Sequence, residues 1–231
     1  MTRPAITAIV PVFNEAPLVR DGALAIAAAL DRSATAWEIV FVESGSTDGT
    51  GEICDQLAEA DSRIVVVHEG RRNGFGSAIT RGIAASSGDR LWIVPVDLPF
   101  PLEIIDDAMR VDADAVISYR AEDPRSPARR LQSFVFNRLA RWMLGVRVRN
   151  INSAFKLFRR AAVADLPLRS RGWLIDAEIL ARLTRNGASI HEIAVPLIDR
   201  SQGQSKVGLF DGIHVVREMT ALSASLKRKT E

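Results

Sequence analysis

WEIVFVESGSTDGTGEICDQLAEA, residues 37–60, joins three local signals. Its first six residues form an apolar, β-branched run without alternation, which predicts a strand buried on both faces. Glu43-Ser44-Gly45-Ser46 closes that strand with turn residues. Residues 48–60 then carry helical spacing, with Ser46 or Thr47 as the expected N-cap. A buried strand, a polar turn and a helix form half of a parallel crossover unit.

The same unit repeats outward in both directions. Residues 6–12 predict a strand that ends at Pro11 and the polar pair Asn14-Glu15, and residues 18–30 an Ala/Leu-rich helix. Strands are expected at 64–67, 91–96 and 115–118, and a helix at 76–85 ahead of Gly88. Apolar strands separated by helices imply an α/β protein with a mostly parallel sheet, helices on both faces. Ligands of such sheets bind beyond the carboxyl ends of the strands. Polar residues stand there: Asn14 and Glu15, Glu43 and Ser44, Asp97, and Arg120.

After residue 120 the pattern changes. Residues 122–130 read as a loop and 131–144 as an amphipathic helix bearing Phe134, Phe136, Leu139, Trp142 and Met143. A strand at 154–158, a helix at 175–185 stopped by Asn186-Gly187, and an edge strand at 190–198 with Pro196 follow. Residues 203–208 form a Gly/Ser loop, and 210–226 a last helix with a basic end.

Composition narrows the classes. With 231 residues, 47% hydrophobic and 25% charged, the chain is neither disordered nor collagen-like. A single cysteine, Cys54, excludes a disulfide framework. The start of the sequence is too short in apolar run and too poor in charge for a secretory signal, and no run of 18 apolar residues suggests a membrane span. A cytoplasmic protein is expected, with peripheral membrane binding open to an amphipathic or basic face.

Four motifs come in a specific order: Val10-Pro11-Val12-Phe13-Asn14-Glu15, then residues 42–50, then residues 73–82 opening Asn73-Gly74-Phe75-Gly76, then Pro95-Val96-Asp97-Leu98. Together they resemble the family-2 glycosyltransferases of the GT-A fold. Asn152-Ser153-Ala154-Phe155-Lys156-Leu157-Phe158, residues 174–180 and residues 200–207 with Ser205-Lys206 are similar to marks of the dolichol-phosphate mannose synthase group. The resemblance spans residues 5–210 of a chain expected to be one GT-A domain: a donor half (1–120), an acceptor half (121–210) and a C-terminal helix (211–231).

The resemblance implies an inverting hexosyltransferase that moves a sugar from GDP-mannose or UDP-glucose to a polyprenyl phosphate. It assigns the nucleotide-sugar to Pro11, Phe13, Asn14, Glu15, Glu43, Ser44, Asp48, Gly76, Asp97 and Lys206, with Lys206 facing the leaving diphosphate. It assigns the acceptor to Arg120, Arg129, Arg130, Ser153, Asp176 and Glu178. It also implies Mg2+ or Mn2+, for which Asp97 is the remaining ligand. A peripheral place at the inner membrane face, directly or through a separate membrane protein, would bring the lipid.

Three departures stand out. The family's paired Asp after the second strand is Glu43-Ser44, the first Asp of its D-x-D pair is Pro95, and a frequent next ligand is Pro99. A same-fold transferase with a soluble acceptor and a nucleotide-binding non-enzyme therefore stay open as alternatives. The net charge of +2 hides a segregation: residues 120–149 carry eight arginines and two acids, or +6, which leaves −4 for the rest. The total argues against a nucleic-acid binder, and the segregation favours an anionic lipid at one face.

Overall fold

A computed structural model describes residues 3–34, 36–120, 127–196 and 211–227. Seven strands form one sheet in the order β3-β2-β1-β4-β6-β5-β7. They are β1 (Ile6–Val12), β2 (Trp37–Glu43), β3 (Ile64–His68), β4 (Arg90–Ile93), β5 (Ala115–Arg120), β6 (Lys156–Arg159) and β7 (Ile190–Val195). All pairings are parallel except those of β6, which runs antiparallel to β4 and β5. The mixed, mostly parallel sheet agrees with the sequence reading, and β7 lies at the sheet edge as expected but ends at Val195, ahead of Pro196.

The helices are α1 (Ala16–Ser33), α2 (Thr50–Ala60), α3 (Phe75–Ala85), α4 (Ile104–Arg110), α5 (Pro127–Leu144), α6 (Arg160–Val163), α7 (Ile175–Arg185) and α8 (Asp211–Lys227). Alternation along β1 sets the layers. Ile6, Ala8, Val10 and Val12 point toward α1, α2 and α4, whereas Ile9 joins Ile79 of α3 and Ile179 of α7 on the other face. A third apolar cluster packs α5 and α8 onto the outer side of α7, through Ala140, Leu180 and Met219 among others. Fully buried side chains of this size stabilise the fold by about 1.5–3 kcal/mol each.

Local expectations shift at four places. The N-cap of α2 is Gly49, in the left-handed region at φ 91°, not Ser46 or Thr47. Asp48 Oδ1 instead accepts the Thr50 N–H at 3.1 Å, so a turn carboxylate satisfies the first helical amide. Strand β4 stops at Ile93 instead of reaching residue 96. Val94 still bonds to Ile9 O at 3.1 Å, but Pro95 has no N–H and starts a turn closed by Leu98 N–H to Pro95 O at 3.2 Å. Helix α5 begins at Pro127, inside the expected loop, because a proline fits the first turn of a helix. The short helices α4 and α6 carry too few turns to leave a periodic signal.

Candidate functional site

Strand order reverses beside β1, whose crossovers lead to β2 on one side and eventually β4 on the other. The carboxyl ends of these strands therefore open a crevice. Asn14, at φ 54°, turns the chain after β1. Its side-chain oxygen accepts the Thr47 N–H and its own N–H donates to Ser46 Oγ, both at 3.0 Å. Asp48 Oδ2 accepts the Ala16 N–H at 3.1 Å, and Glu15 N–H donates to Thr50 Oγ1 at 2.9 Å. The Thr50 hydroxyl leads the hydrogen bonds that hold the Asp48 carboxyl below its ordinary range. Asn14 and Asp48 thus tie the first two βα loops together.

Glu43, at the end of β2, is buried. Oε1 accepts the Ser46 N–H at 2.5 Å, and Oε2 meets His68 Nδ1 at 3.2 Å. Burial pushes its carboxyl up, but these hydrogen bonds outweigh it and the net shift is downward. His68 Nε2 meets Asp55 Oδ1 at 2.9 Å. Only the imidazolium donates to both carboxylates, so the Asp55 bond, followed by Glu43, raises the His68 pKa against a smaller effect of burial.

Ser44 Oγ donates to Glu69 Oε2 at 2.7 Å. Glu69 Oε1 accepts the Ser77 hydroxyl at 2.6 Å and pairs with Arg81 at 3.2 Å, with the carboxylate side chain wholly buried. Sequence reasoning missed Glu69. It directly follows β3, so the rule that flagged acids after the other strands also reaches it. Gly45, at φ 74°, lets the loop touch its neighbour: a β-carbon there would stand 2.6 Å from Arg71 Cα.

Pro11 and Phe13 are half-buried, and the Arg72 guanidinium sits 4.6 Å above the Phe13 ring. Gly76 has a structural part that the sequence did not show. Its N–H donates to Arg171 O at 2.7 Å, and a β-carbon would collide with Ser170 O. The glycine-rich stretch therefore seats the start of α3 against loop 169–174, with this amide already satisfied. Phe75 also stacks on the exposed Trp173 ring, centroids 4.9 Å apart.

On the other side, Arg120 ends β5 half-buried, and Arg130 is exposed in the first turn of α5. The Arg129 side chain and Lys206 lie outside the described residues. Ser153 is buried and donates to Phe155 O at 3.0 Å, which removes its hydroxyl from an acceptor surface. Glu178 is likewise no surface ligand. Its carboxylate accepts Arg169 N–H at 3.0 Å and Ser170 N–H at 2.7 Å, and Arg182 forks onto it at 2.9 and 2.6 Å. Burial pushes its pKa up, but these donors prevail and lower it. Asp176 is buried against Lys156 at 3.0 Å, and its Oδ1 has no hydrogen-bond partner. Burial raises its pKa despite the ammonium.

The residues present do not fit a divalent ion anchored by a carboxylate pair. Asp97 is exposed on the Pro95–Leu98 turn, and Pro95 offers only a carbonyl already accepting the turn hydrogen bond. Among the described residues no group of three or more His, Cys, Asp or Glu side chains is placed to hold a metal.

Known proteins share this architecture. Glucosyl-3-phosphoglycerate synthase from Mycobacterium tuberculosis, in complex with phosphoglyceric acid, superposes with a TM-score of 0.71 at 23% identity, over 96% of this chain and 80% of that one. Its complex with Mn2+, UDP-glucose and phosphoglyceric acid superposes equally well, with a TM-score of 0.71 at 22% identity and the same coverage. The GT-A fold is therefore shared. The polyprenol monophosphomannose synthase of Mycolicibacterium smegmatis is 29% identical over 215 residues, 86% of this chain and 79% of that relative. An undecaprenyl-phosphate 4-deoxy-4-formamido-L-arabinose transferase of Pseudomonas aeruginosa is 33% identical over 87% of this chain, which spans 60% of its length. Glycosyltransferase AglD of Haloferax volcanii is 29% identical over 96% of this chain, which spans only 36% of its length. Residues 7–166 match the family described as glycosyl transferase family 2, and the chain belongs to that family.

Proposed function

We propose that this chain is an inverting hexosyltransferase that transfers a sugar from a nucleoside diphosphate sugar, GDP-mannose or UDP-glucose, to a polyprenyl phosphate at a membrane surface. The observation that carries the reading is the face of α5, which follows the acceptor-side Arg120. Leu131, Phe134, Val135 and Trp142 are exposed on it, and the helix contains four arginines and no acid. A lipid acceptor with an anionic head requires that pairing of apolar and cationic surface. The names of the relatives from Mycolicibacterium and Pseudomonas support a polyprenyl-type acceptor.

The chemistry asks for positioning above all. A phosphate monoester has a second pKa near about 6 and is largely ionised at neutral pH, so the nucleophile needs no strong general base. Arginine forks hold such a group. Arg120 is the acceptor-side candidate at the end of β5, with Arg130 and Arg129 as further donors across the following loop. On the donor side Glu43, held ionised in its loop, accepts from the ribose or base, and Phe13 and Pro11 supply apolar contact. Lys206 offsets charge that develops on the leaving diphosphate.

A product assay with radiolabelled GDP-mannose or UDP-glucose and a short polyprenyl phosphate tests the reading. Transfer to the lipid is expected, with an Arg120→Ala loss of about 10–100-fold, as for a hydrogen bond to a charged group. Transfer only to a water-soluble acceptor, or nucleotide binding without turnover, overturns it.

A further inference from the structure

The donor edge presents a cation over the ring of Phe13, in the loop that follows β1. Arg72 belongs to the connection between β3 and α3, yet its guanidinium lies over Phe13, which directly follows β1. It therefore reaches past the β2 loop to the strand next to β4, whose extension carries Pro95 and Asp97. Among the described residues no carboxylate forms an ion pair with Arg72. The ring face holds the planar group by a cation–π contact, and Arg72 is exposed.

On the turn that follows β4, the protein's means of anchoring an ion are poor. Mg2+ and similar ions need near-octahedral oxygen coordination, usually through one or two carboxylates plus phosphates. Pro95 contributes no side-chain oxygen, and its carbonyl closes a turn.

We infer that this chain meets the diphosphate of its donor with protein cations, Arg72 foremost among the described ones, in place of a divalent ion anchored by paired carboxylates. The inference rests on the glycosyltransferase reading of this crevice and concerns how the donor is held there. A guanidinium presents fixed bidentate donors to phosphate oxygens and stays charged at any working pH. Donor affinity then becomes insensitive to chelation. It gains a salt dependence instead, since exposed charges are screened over about 8–10 Å.

Calorimetry with UDP and with GDP, in EDTA and again in Mn2+, is the direct test. Expected is a Kd for the bound nucleotide that differs by less than about threefold between the two conditions, within about 0.7 kcal/mol. Arg72→Gln is expected to weaken the diphosphate by about tenfold or more while changing the monophosphate much less. Pro95→Asp is expected to create a preference for Mn2+ of about tenfold. Binding seen only with Mn2+ in the unmodified chain overturns the inference, as does an Arg72→Gln chain that binds diphosphate as before. If Pro95→Asp does not fold, the other two arms still decide. The product assay on polyprenyl phosphate separates the two claims: activity that needs Mn2+ overturns this inference alone, whereas no nucleotide binding in either condition and no product overturns both.

Discussion

The edge formed by β1, β2 and β3 and the face formed by α5 handle polar and apolar groups in opposite ways. At the edge, Glu43, Glu69 and Asp48 direct their oxygens into neighbouring loops, so the crevice wall is cross-linked before any ligand arrives. On α5, Phe134 and Trp142 remain in water, the latter 82% exposed, between arginines that the core does not need. In the function proposed above, donor recognition is thus preorganised by the chain itself, which lowers the ordering cost of binding. The α5 face leaves its apolar side chains without a cover among the described residues.

The largest test of preorganisation lies at loop 169–174, held by Glu178. Glu178→Ala removes a buried carboxylate from two backbone amides and strands Arg182 in the interior. Breaking a buried pair this way costs about 3–5 kcal/mol. Urea unfolding should show that loss, and Glu178→Met combined with Arg182→Leu should recover much of it. Glu69→Ala follows, at about 1–3 kcal/mol, because Ser44, Ser77 and Arg81 lose a shared acceptor. If Glu69→Ala keeps both stability and nucleotide affinity, the edge is not preorganised as described.

How legible each region was in the sequence follows the same divide. The parallel units were readable because runs such as residues 39–42 lack alternation and are bounded by turn residues, so burial on both faces is a local signal. The antiparallel β6 was not, since strand direction is settled by packing between distant segments. At the site, the positions after strands were visible, but their tasks were not. Asn14, Asp48 and Gly76 read as ligand contacts, and the structure adds a second task, joining loops distant in sequence. Glu178 read as an acceptor contact because the spacing of a short helix does not reveal what packs on its outer side. In this fold α5 and α8 cover α7, so both of its sides are buried.

A finer test of the edge uses pH. Burial aside, Glu43 is held below its ordinary value of 4.5 by the Ser46 and His68 contacts, whereas His68 is raised above 6.5, first by Asp55. A lowered carboxyl contributes stability above its unfolded pKa and loses it as pH falls through the folded value. A raised imidazole contributes fully below its unfolded pKa and loses that as pH rises through the folded value. Both contributions are present between 4.5 and 6.5. Unfolding midpoints should therefore decline from pH 6 toward pH 8, and His68→Gln should flatten that decline. The effect is modest because His68 is 44% exposed and its ion pairs are screened by solvent. An unchanged decline in His68→Gln would place its origin elsewhere in the molecule.

The smallest effect on the fold is expected on α5, and its smallness is informative. Phe134 and Trp142 cover no core, so Phe134→Ser with Trp142→Ser should change unfolding free energy by no more than about 0.5 kcal/mol. Sedimentation with vesicles rich in anionic lipid should respond strongly, since burying each of these side chains in the interface contributes about 1.5–3 kcal/mol. The unmodified chain is expected to pellet at low salt and the double variant to stay in solution. A chain that never pellets removes the direct membrane contact and leaves a separate membrane protein as the route to the lipid. A variant that loses stability as well as vesicle binding would mean that α5 is an ordinary structural helix, and the contrast with the donor edge would disappear.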